Sequence, residues 1–396
     1  MIVQTEQNLT LSAVAALQKY ADAGLPIIFL GGEPGYYRSS NGRDQEAIET
    51  TITTLGNSQN VHKVAAGEVV SALRALGLVP QITVQTNGTW WTTWREDDTS
   101  GVDYAFVFGD TNATTGQIEV QTTKTPYIFD VWTGSQTPLL QYSTDANSTT
   151  IPLSLAGNQT MVIAFVDDAL PGVEAPSEYV VNSTANVLGY AFSSSDGLVA
   201  HVQRGSSGNA ALSSGRNVCV NGSNVPSASP LVNWTLTAEH WEAPADINDA
   251  SVIAVKRNTT HQLASLVSWS EIPTLANASG VGYYTTSFSW PPISSSADIG
   301  AYIAFPPVLH AVRLYINGER TQSLDYAKPI MDISMYLREG ENEVLAVVPT
   351  TMLNYLGSIQ GELKNGGMNV TISGRTDNGL IGEVELVPFR RVRLNG

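Results

Sequence analysis

Four pieces follow one another between Val281 and Asn354: Gly280-Val-Gly-Tyr-Tyr-Thr-Thr-Ser-Phe-Ser-Trp-Pro291, Val312-Arg-Leu-Tyr-Ile-Asn-Gly-Glu319, Met331-Asp-Ile-Ser-Met-Tyr-Leu337 and Glu339-Gly-Glu-Asn-Glu-Val-Leu-Ala-Val-Val348. Val312, Leu314 and Ile316 alternate with Arg313 and Tyr315, the period of a half-buried strand. Asn317-Gly318 then supplies the two positive φ values of a tight hairpin turn, which predicts a return strand near Glu319. Asp332 is placed to cap a short helical turn that tucks Ile333 and Leu337 inward. Gly340-Glu341-Asn342 reads as a second turn and Val344 to Val348 as a buried strand. Short strands joined by tight turns give an antiparallel β-sandwich.

The order Gly282-x-Tyr284-x-x-x-Phe288, Val312-x-Leu314-x-Ile316-Asn317-Gly318, Asp332-Ile333-Ser334-x-x-Leu337 and Gly340-x-Asn342-x-Val344 resembles the galactose-binding-like jelly-roll domain of glycoside hydrolases. Family 2 β-galactosidases and β-glucuronidases carry such a domain, as do family 106 α-L-rhamnosidase-like enzymes and their fungal secreted relatives. The resemblance extends upstream on Trp94-Arg95 with Tyr104-Ala-Phe-Val107, on the turn Asp130-Val-Trp-Thr-Gly134, and on Leu263-Ala-Ser-Leu-Val-Ser-Trp-Ser-Glu-Ile-Pro273. It implies that the catalytic acids lie in a barrel upstream of these residues.

The chain has 396 residues, enough for two or three domains. With 42% hydrophobic and only 14% charged residues, its surface must be rich in Ser, Thr, Asn and Gln, the profile of a secreted β-rich protein. A net charge of -16 excludes nucleic acid and anionic membrane surfaces as partners. No apolar run approaches the ~18 residues of a membrane span. The single cysteine, Cys219, forbids an internal disulfide and is expected to be a buried, inert thiol.

Eleven Asn-x-Ser/Thr sequons, at Asn8, Asn87, Asn112, Asn147, Asn158, Asn182, Asn221, Asn233, Asn258, Asn277 and Asn369, fit passage through a eukaryotic secretory route. Met1-Ile-Val-Gln-Thr-Glu-Gln nevertheless lacks the basic and apolar regions of a signal peptide. Both facts are met if the chain is the C-terminal part of a longer secreted protein. The alternative is a cytosolic protein whose sequons are unused.

Three regions are expected. Residues 1–80 read as a partial α/β, Rossmann-like segment: a helix from Thr10 to Gly24, a buried strand Pro26 to Leu30, a helix Asp44 to Leu55, a strand Val61 to Val64 and a helix Gly67 to Leu76. The resemblance implies the same, since a Rossmann-like domain follows the barrel in family 106-like enzymes. Gly31-Gly32-x-x-Gly35 lacks the Gly-x-Gly-x-x-Gly spacing and carries Glu33, so it reads as a strand-end turn and no cofactor is expected. Residues 81–230 read as a β-sandwich module and 231–396 as the galactose-binding-like jelly roll, closed by a strand from Gly379.

No catalytic residue is assigned. A glycosidase needs two carboxyls across the scissile bond. Glu96-Asp97-Asp98 and Asp167-Asp168 lie in polar turns, and Glu239, Glu242 and Glu271 show no barrel context. No histidine pair has metal-ligand spacing, so no metal is expected. Sugar binding remains, because aromatic faces stack on pyranose C–H faces. Trp241, Tyr283, Tyr284, Trp290 and Tyr315 are the carbohydrate-binding candidates, and Trp90, Trp91 and Trp94 form a second aromatic group. Most large aromatics in a sandwich are core. Tyr284, Phe288 and Trp290 alternate, so one of their faces is interior. The expected function is a non-catalytic, carbohydrate-binding C-terminal part of a secreted glycoside hydrolase, with a plant-type glycan and the upstream barrel as partners. The alternatives are an α-L-rhamnosidase-like enzyme whose barrel is missing here, and a secreted adhesive or structural glycoprotein.

Overall fold

A computed structural model describes residues 1–37, 42–167, 169–242, 246, 249, 251–253, 255–291, 298–367 and 371–394. Asp168 and Asn369 lie outside them, as does the side chain of Glu242. The chain divides into two compact units, Met1–Gln81 and Ile82–Gly396.

The first unit is α/β. Its parallel sheet has the order Ile2–Gln4, Ile27–Leu30, Val61–Val64. The strand Ile2–Gln4 precedes the first helix, so the unit opens on a strand and not on a helix as expected. In the helix Leu11–Asp22, Val14, Leu17 and Ala21 make one apolar stripe, and Thr10 caps it by accepting from the Ala13 N–H at 3.3 Å. This stripe joins Ile48, Ile52 and Leu55 of the helix Gly42–Gly56 over Val3, Ile27 and Phe29. Gly31 and Gly32 turn at φ 81° and 132°, and the adjoining Glu33 pairs with Lys63 at 2.6 Å, so the glycine loop is a strand-end turn held by an ion pair.

The strand ladders of the second unit are antiparallel, with one isolated parallel bridge between Gln141 and Val180. A five-stranded sheet (Gln136–Pro138, Thr125–Phe129, Thr160–Val166, Val102–Gly109, Trp90–Asp97) faces a four-stranded one (Ser143–Thr144, Thr149–Leu155, Thr114–Val120, Ile82–Thr86). Val107, Ile118, Ile151 and Ile163 fill the space between. In the Trp90–Asp97 strand, Trp90 and Trp94 point into this core while Trp91 points out, so the three tryptophans do not form one platform.

A second sandwich follows. One sheet runs Val255–Leu263, Trp234–Glu242, Gly280–Trp290, Gly340–Pro349, Arg313–Ile316, Glu319–Arg320. The facing sheet runs Val187–Ser193, Gly197–Val202, Glu385–Arg393, Ile299–Ala304, Ile330–Asp332. Strands from both sides of residue 230 therefore share one sheet. A small sheet of Val180–Ser183, Ser207–Leu212 and Asn217–Asn221 packs on the Gly197–Val202 strand through Leu198, Ala200 and Val202. Leu236, Tyr284, Ile316, Val344 and Ala346 of one sheet meet Ala301, Ile303 and Leu386 of the other.

The hairpin forms where the Asn-Gly pair places it. Asn317 and Gly318 have φ 53° and 82°, and Tyr315 and Ile316 pair with Arg320 and Glu319. The second turn falls earlier than expected. The strand runs from Gly340 because Gly280–Trp290 is long enough to pair Trp290 with Gly340. The turn sits at residues 337–339, and Asn342 ties it down. Its fully buried amide accepts from the Arg338 N–H at 2.9 Å and from Asn317 Nδ2 at 2.8 Å, and donates to the Arg338 and Gly340 carbonyls. The closing strand is also shorter than expected. It starts at Glu385, and Gly379 and Gly382, at φ 92° and 99°, turn the backbone ahead of it.

A Cβ at Gly318 would meet nothing within 4 Å, so the cost of replacing this residue is backbone strain alone. Gly318→Val should cost about 1–3 kcal/mol. Asp332, whose Oδ1 accepts from the Ser334 N–H at 2.9 Å and hydroxyl at 2.5 Å, should cost about 0.5–2 kcal/mol as alanine. Urea unfolding of the whole chain measures both, and an unchanged midpoint for Gly318→Val would refute the need for positive φ.

Candidate functional site: the outer face of the six-stranded sheet

Alternation along the strands sorts the five sugar-binding candidates. Tyr284 and Trp290 lie on the inner face with Gly282, Thr286 and Phe288, and both are buried. They are core residues, which corrects their assignment as sugar contacts. The reason is local. The Tyr284 hydroxyl accepts from the Trp269 indole N–H at 2.7 Å and from the Leu380 N–H at 3.1 Å, so the phenol is consumed in joining three segments.

Trp241, Tyr283 and Tyr315 share the outer face. Trp241 is 50% exposed but stands apart. Tyr283 pairs with Thr237, four positions from Trp241, or about 13 Å along the strand. Lys256 already lies over the indole, 5.3 Å from its centroid, while bonding Glu239 at 2.7 Å.

Tyr283 lines a shallow cavity of about 320 Å³, and Tyr315 stands outside that lining. Tyr283, Val347 and Arg313 stand in one row across three strands, and Tyr315 and Leu345 pair in the next. Val281, Val347 and Pro349 make the floor apolar, and Arg313, Arg320, Gln322 and Ser323 make the rim polar. Arg320 lies directly across from Tyr315 and one diagonal step from Arg313. An aromatic ring beside an apolar floor, rimmed by donors, can take the C–H face of a pyranose and bond its hydroxyls. The sequence list missed Arg313 and Arg320. The Asn-Gly turn carried the signal, because a two-residue hairpin at 317–318 sets 320 opposite 315 and 322 opposite 313.

Of the carboxylates weighed as catalytic acids, Glu96, Asp97, Asp167 and Glu239 are engaged in local structure. Asp97 accepts from the Ser100 hydroxyl and the Thr99 N–H, which together hold its pKa below the usual carboxylate range. Glu96 accepts from the Trp94 indole, and Lys124 bridges Asp103 and Asp167 at 2.9 and 3.5 Å. The most perturbed base, His201, is a core group. It stacks on Phe389 with centroids 4.0 Å apart, and its Nδ1 lies 2.7 Å from the Tyr302 hydroxyl. Cys219 is exposed and not buried as expected, because it points outward from the edge strand Asn217–Asn221. Among the described residues no group of three metal-ligating side chains occurs, and no helix is long and apolar enough to cross a membrane.

A larger groove of about 420 Å³ is lined by Asp130, Trp132, Gln159, Asp325 and Lys328, among others. Its polar groups are mostly satisfied. Asp130 Oδ1 accepts from the Trp132 and Thr133 N–H groups, Asp325 Oδ2 accepts from Gln159, and Lys328 donates to the Ser154 carbonyl. Trp132 meets Tyr326 edge to face at 5.1 Å.

No family model and no curated protein matches the chain. Solved structures do. A rhamnosidase from Novosphingobium sp. PP1Y superimposes over 98% of this chain with a TM-score of 0.62 at 17% identity, and the chain spans about a third (33%) of that protein's length. A β-glycosidase from Bacteroides vulgatus matches over 41% of this chain and 20% of its own, with 18% identity and a TM-score of 0.25. An uncultured Clostridium sp. β-glucuronidase matches over 43% and 30%, with 13% identity and a TM-score of 0.25. The fold is thus one found within a glycoside hydrolase chain.

Proposed function

We propose that the chain is the non-catalytic, carbohydrate-binding part of a secreted glycoside hydrolase of the family 106 α-L-rhamnosidase kind. The observation that carries this reading is the outer-face cavity at Tyr283, with its apolar floor and donor rim, on a chain that follows a rhamnosidase over 98% of its length. Two further features support it. Glu96, Asp97, Asp167 and Glu239, weighed as catalytic acids, serve turns, an indole contact and ion pairs. The ten sequon asparagines among the described residues are all exposed, as oligosaccharide attachment requires. The partners of this reading are a plant-type glycan at the cavity and a catalytic barrel of the same enzyme. The parts are a Rossmann-like segment over 1–80, a sandwich module within 81–230 and the galactose-binding-like sandwich over 231–396, which takes in the strands Val187–Ser193 and Gly197–Val202 from before residue 230.

The full chain, secreted from a eukaryotic host, should lose mass on enzymatic deglycosylation, should not turn over aryl α-L-rhamnosides or β-galactosides, and should be retained by plant polysaccharide. Tyr283→Ala should weaken that retention about tenfold, the loss of a stacking contact worth about 1–1.5 kcal/mol. Turnover abolished by mutating a carboxylate of this chain would overturn the accessory role in favour of an enzyme. Absence of any glycan binding would favour an adhesive or structural glycoprotein.

A further inference from the structure

We propose that the Tyr283 cavity selects an anionic sugar, a uronic acid or a sugar sulfate, whose charge is taken by Arg313 and Arg320. This rests on the carbohydrate-binding reading and adds the class of ligand. Four observations lead to it. The chain carries 36 acidic and 20 Lys and Arg residues, yet the lining of this cavity contains two arginines and no Asp or Glu. The same cannot be said of the other grooves described, one of which carries Glu174 beside Lys328. The one at Trp132 includes Asp130 and Asp325 beside Lys328, and the one at Arg390, Arg391 and Arg393 includes Asp196 and Asp298.

Second, Arg313 and Arg320 are exposed and make no side-chain hydrogen bond or ion pair with the described residues, whereas Arg391 and Arg393 both bond Asp196 and Arg216 bonds Glu178. Of the acids on the outer face, Glu239 stands opposite Val281, three strands over from Arg313, with its carboxylate held by Lys256 at 2.7 Å, and Glu343 lies four positions from Val347, about 13 Å along its strand. Third, the two arginines are diagonal neighbours in the hairpin fixed by Asn317-Gly318. Like charges so placed repel each other, and an anion set between them removes that repulsion while accepting bonds from both forks. Fourth, the floor beside them is Tyr283 with Val281, Val347 and Pro349, which suits a sugar ring better than a free inorganic ion. The cavity, about 320 Å³, admits one ring and leaves the chain free to continue across the sheet. The protein's overall negative charge repels such a ligand only weakly beyond a Debye length of about 8–10 Å, so the local pair of guanidinium groups decides the encounter.

Calorimetric titration of the full chain with oligogalacturonate, the same oligomer as its methyl ester, a sulfated galactan and a neutral galactan tests this. The free acid or the sulfated glycan should bind at least about tenfold more tightly than its uncharged counterpart, and raising the salt should erase the difference. Arg313→Gln and Arg320→Gln, both exposed and outside the core, should each remove about tenfold of the affinity for the anionic ligand and weaken the uncharged one by much less, since glutamine keeps a hydrogen-bond donor on the rim but not the charge. Tyr283→Ala should weaken both. Equal affinity for acid and ester, or indifference of the acid to both arginine variants, would overturn the charge selection while leaving the carbohydrate-binding reading intact. If none of the four glycans binds, both readings fall.

Discussion

Gly379→Ala should destabilise the Ile82–Gly396 unit by about 3–5 kcal/mol, well beyond what its backbone angle alone predicts. Its φ of 92° makes any L-residue strained, at about 1–3 kcal/mol. The added methyl carbon would also overlap the Tyr284 hydroxyl and approach Trp269 Cδ1 to 2.6 Å. Neither ring can yield, because both are fully buried and the hydroxyl is fixed by the Trp269 indole and the Leu380 N–H. Overpacking of this kind costs a further ~1–3 kcal/mol. Gly318 is the control, since it has a similar φ and open space around it. Chemical unfolding of both variants separates strain from packing. Equal costs at the two glycines would show that the Tyr284 corner accommodates a methyl.

Acidification should destabilise the same unit by about 3 kcal/mol through His201 alone. Burial pushes its pKa down from 6.5 to about 4, with the Asp332 carboxylate pulling upward and Arg391 adding to the fall. The folded state keeps the imidazole neutral where the unfolded chain takes up a proton. The contribution is therefore whole above pH ~6.5 and declines at about 1.4 kcal/mol per pH unit below it. It levels off once pH falls through the folded value near 4. His201→Gln should abolish this slope while leaving the slopes due to carboxylates. Unfolding free energies of the two proteins at intervals from pH 7 to about pH 4 make the comparison. Parallel curves would mean that the imidazole titrates alike in both states.

What the sequence disclosed follows from how local each signal is. Asn317-Gly318 needs no context, since two residues set both dihedral angles and the pairing of Tyr315 with Arg320. The helix from Thr10 to Gly24 was equally plain, because Val14, Leu17 and Ala21 repeat at helical spacing. The strand Ile2–Gln4 was not, because three residues carry no period, and its pairing with Ile28 to Leu30 crosses an intervening helix. The turn near Gly340 was misplaced because a glycine at φ 94° looks like a turn centre, while the length of the partner strand decided the register. For the candidate site, alternation alone showed that Tyr283 and Tyr284 face opposite ways but not which way is out. That depended on the second sheet, built from strands more than eighty residues apart in the chain. Cys219 was misread for a similar reason, as nothing local marks Asn217–Asn221 as an edge strand.

The sheet shared across residue 230 has a consequence for synthesis. Its strand Glu385–Arg393 is the last of the set in chain order, yet it lies between Gly197–Val202 and Ile299–Ala304 and pairs with both. During synthesis the strands Gly197–Val202 and Ile299–Ala304 therefore cannot be joined through it until Arg393 has emerged. Shortening the chain before Glu385 would take away the middle of the sheet and not its margin, and would leave two halves with no strand to join them. The second sandwich thus closes only with its last strand, whereas the sandwich of residues 82–166 has all its strands long before.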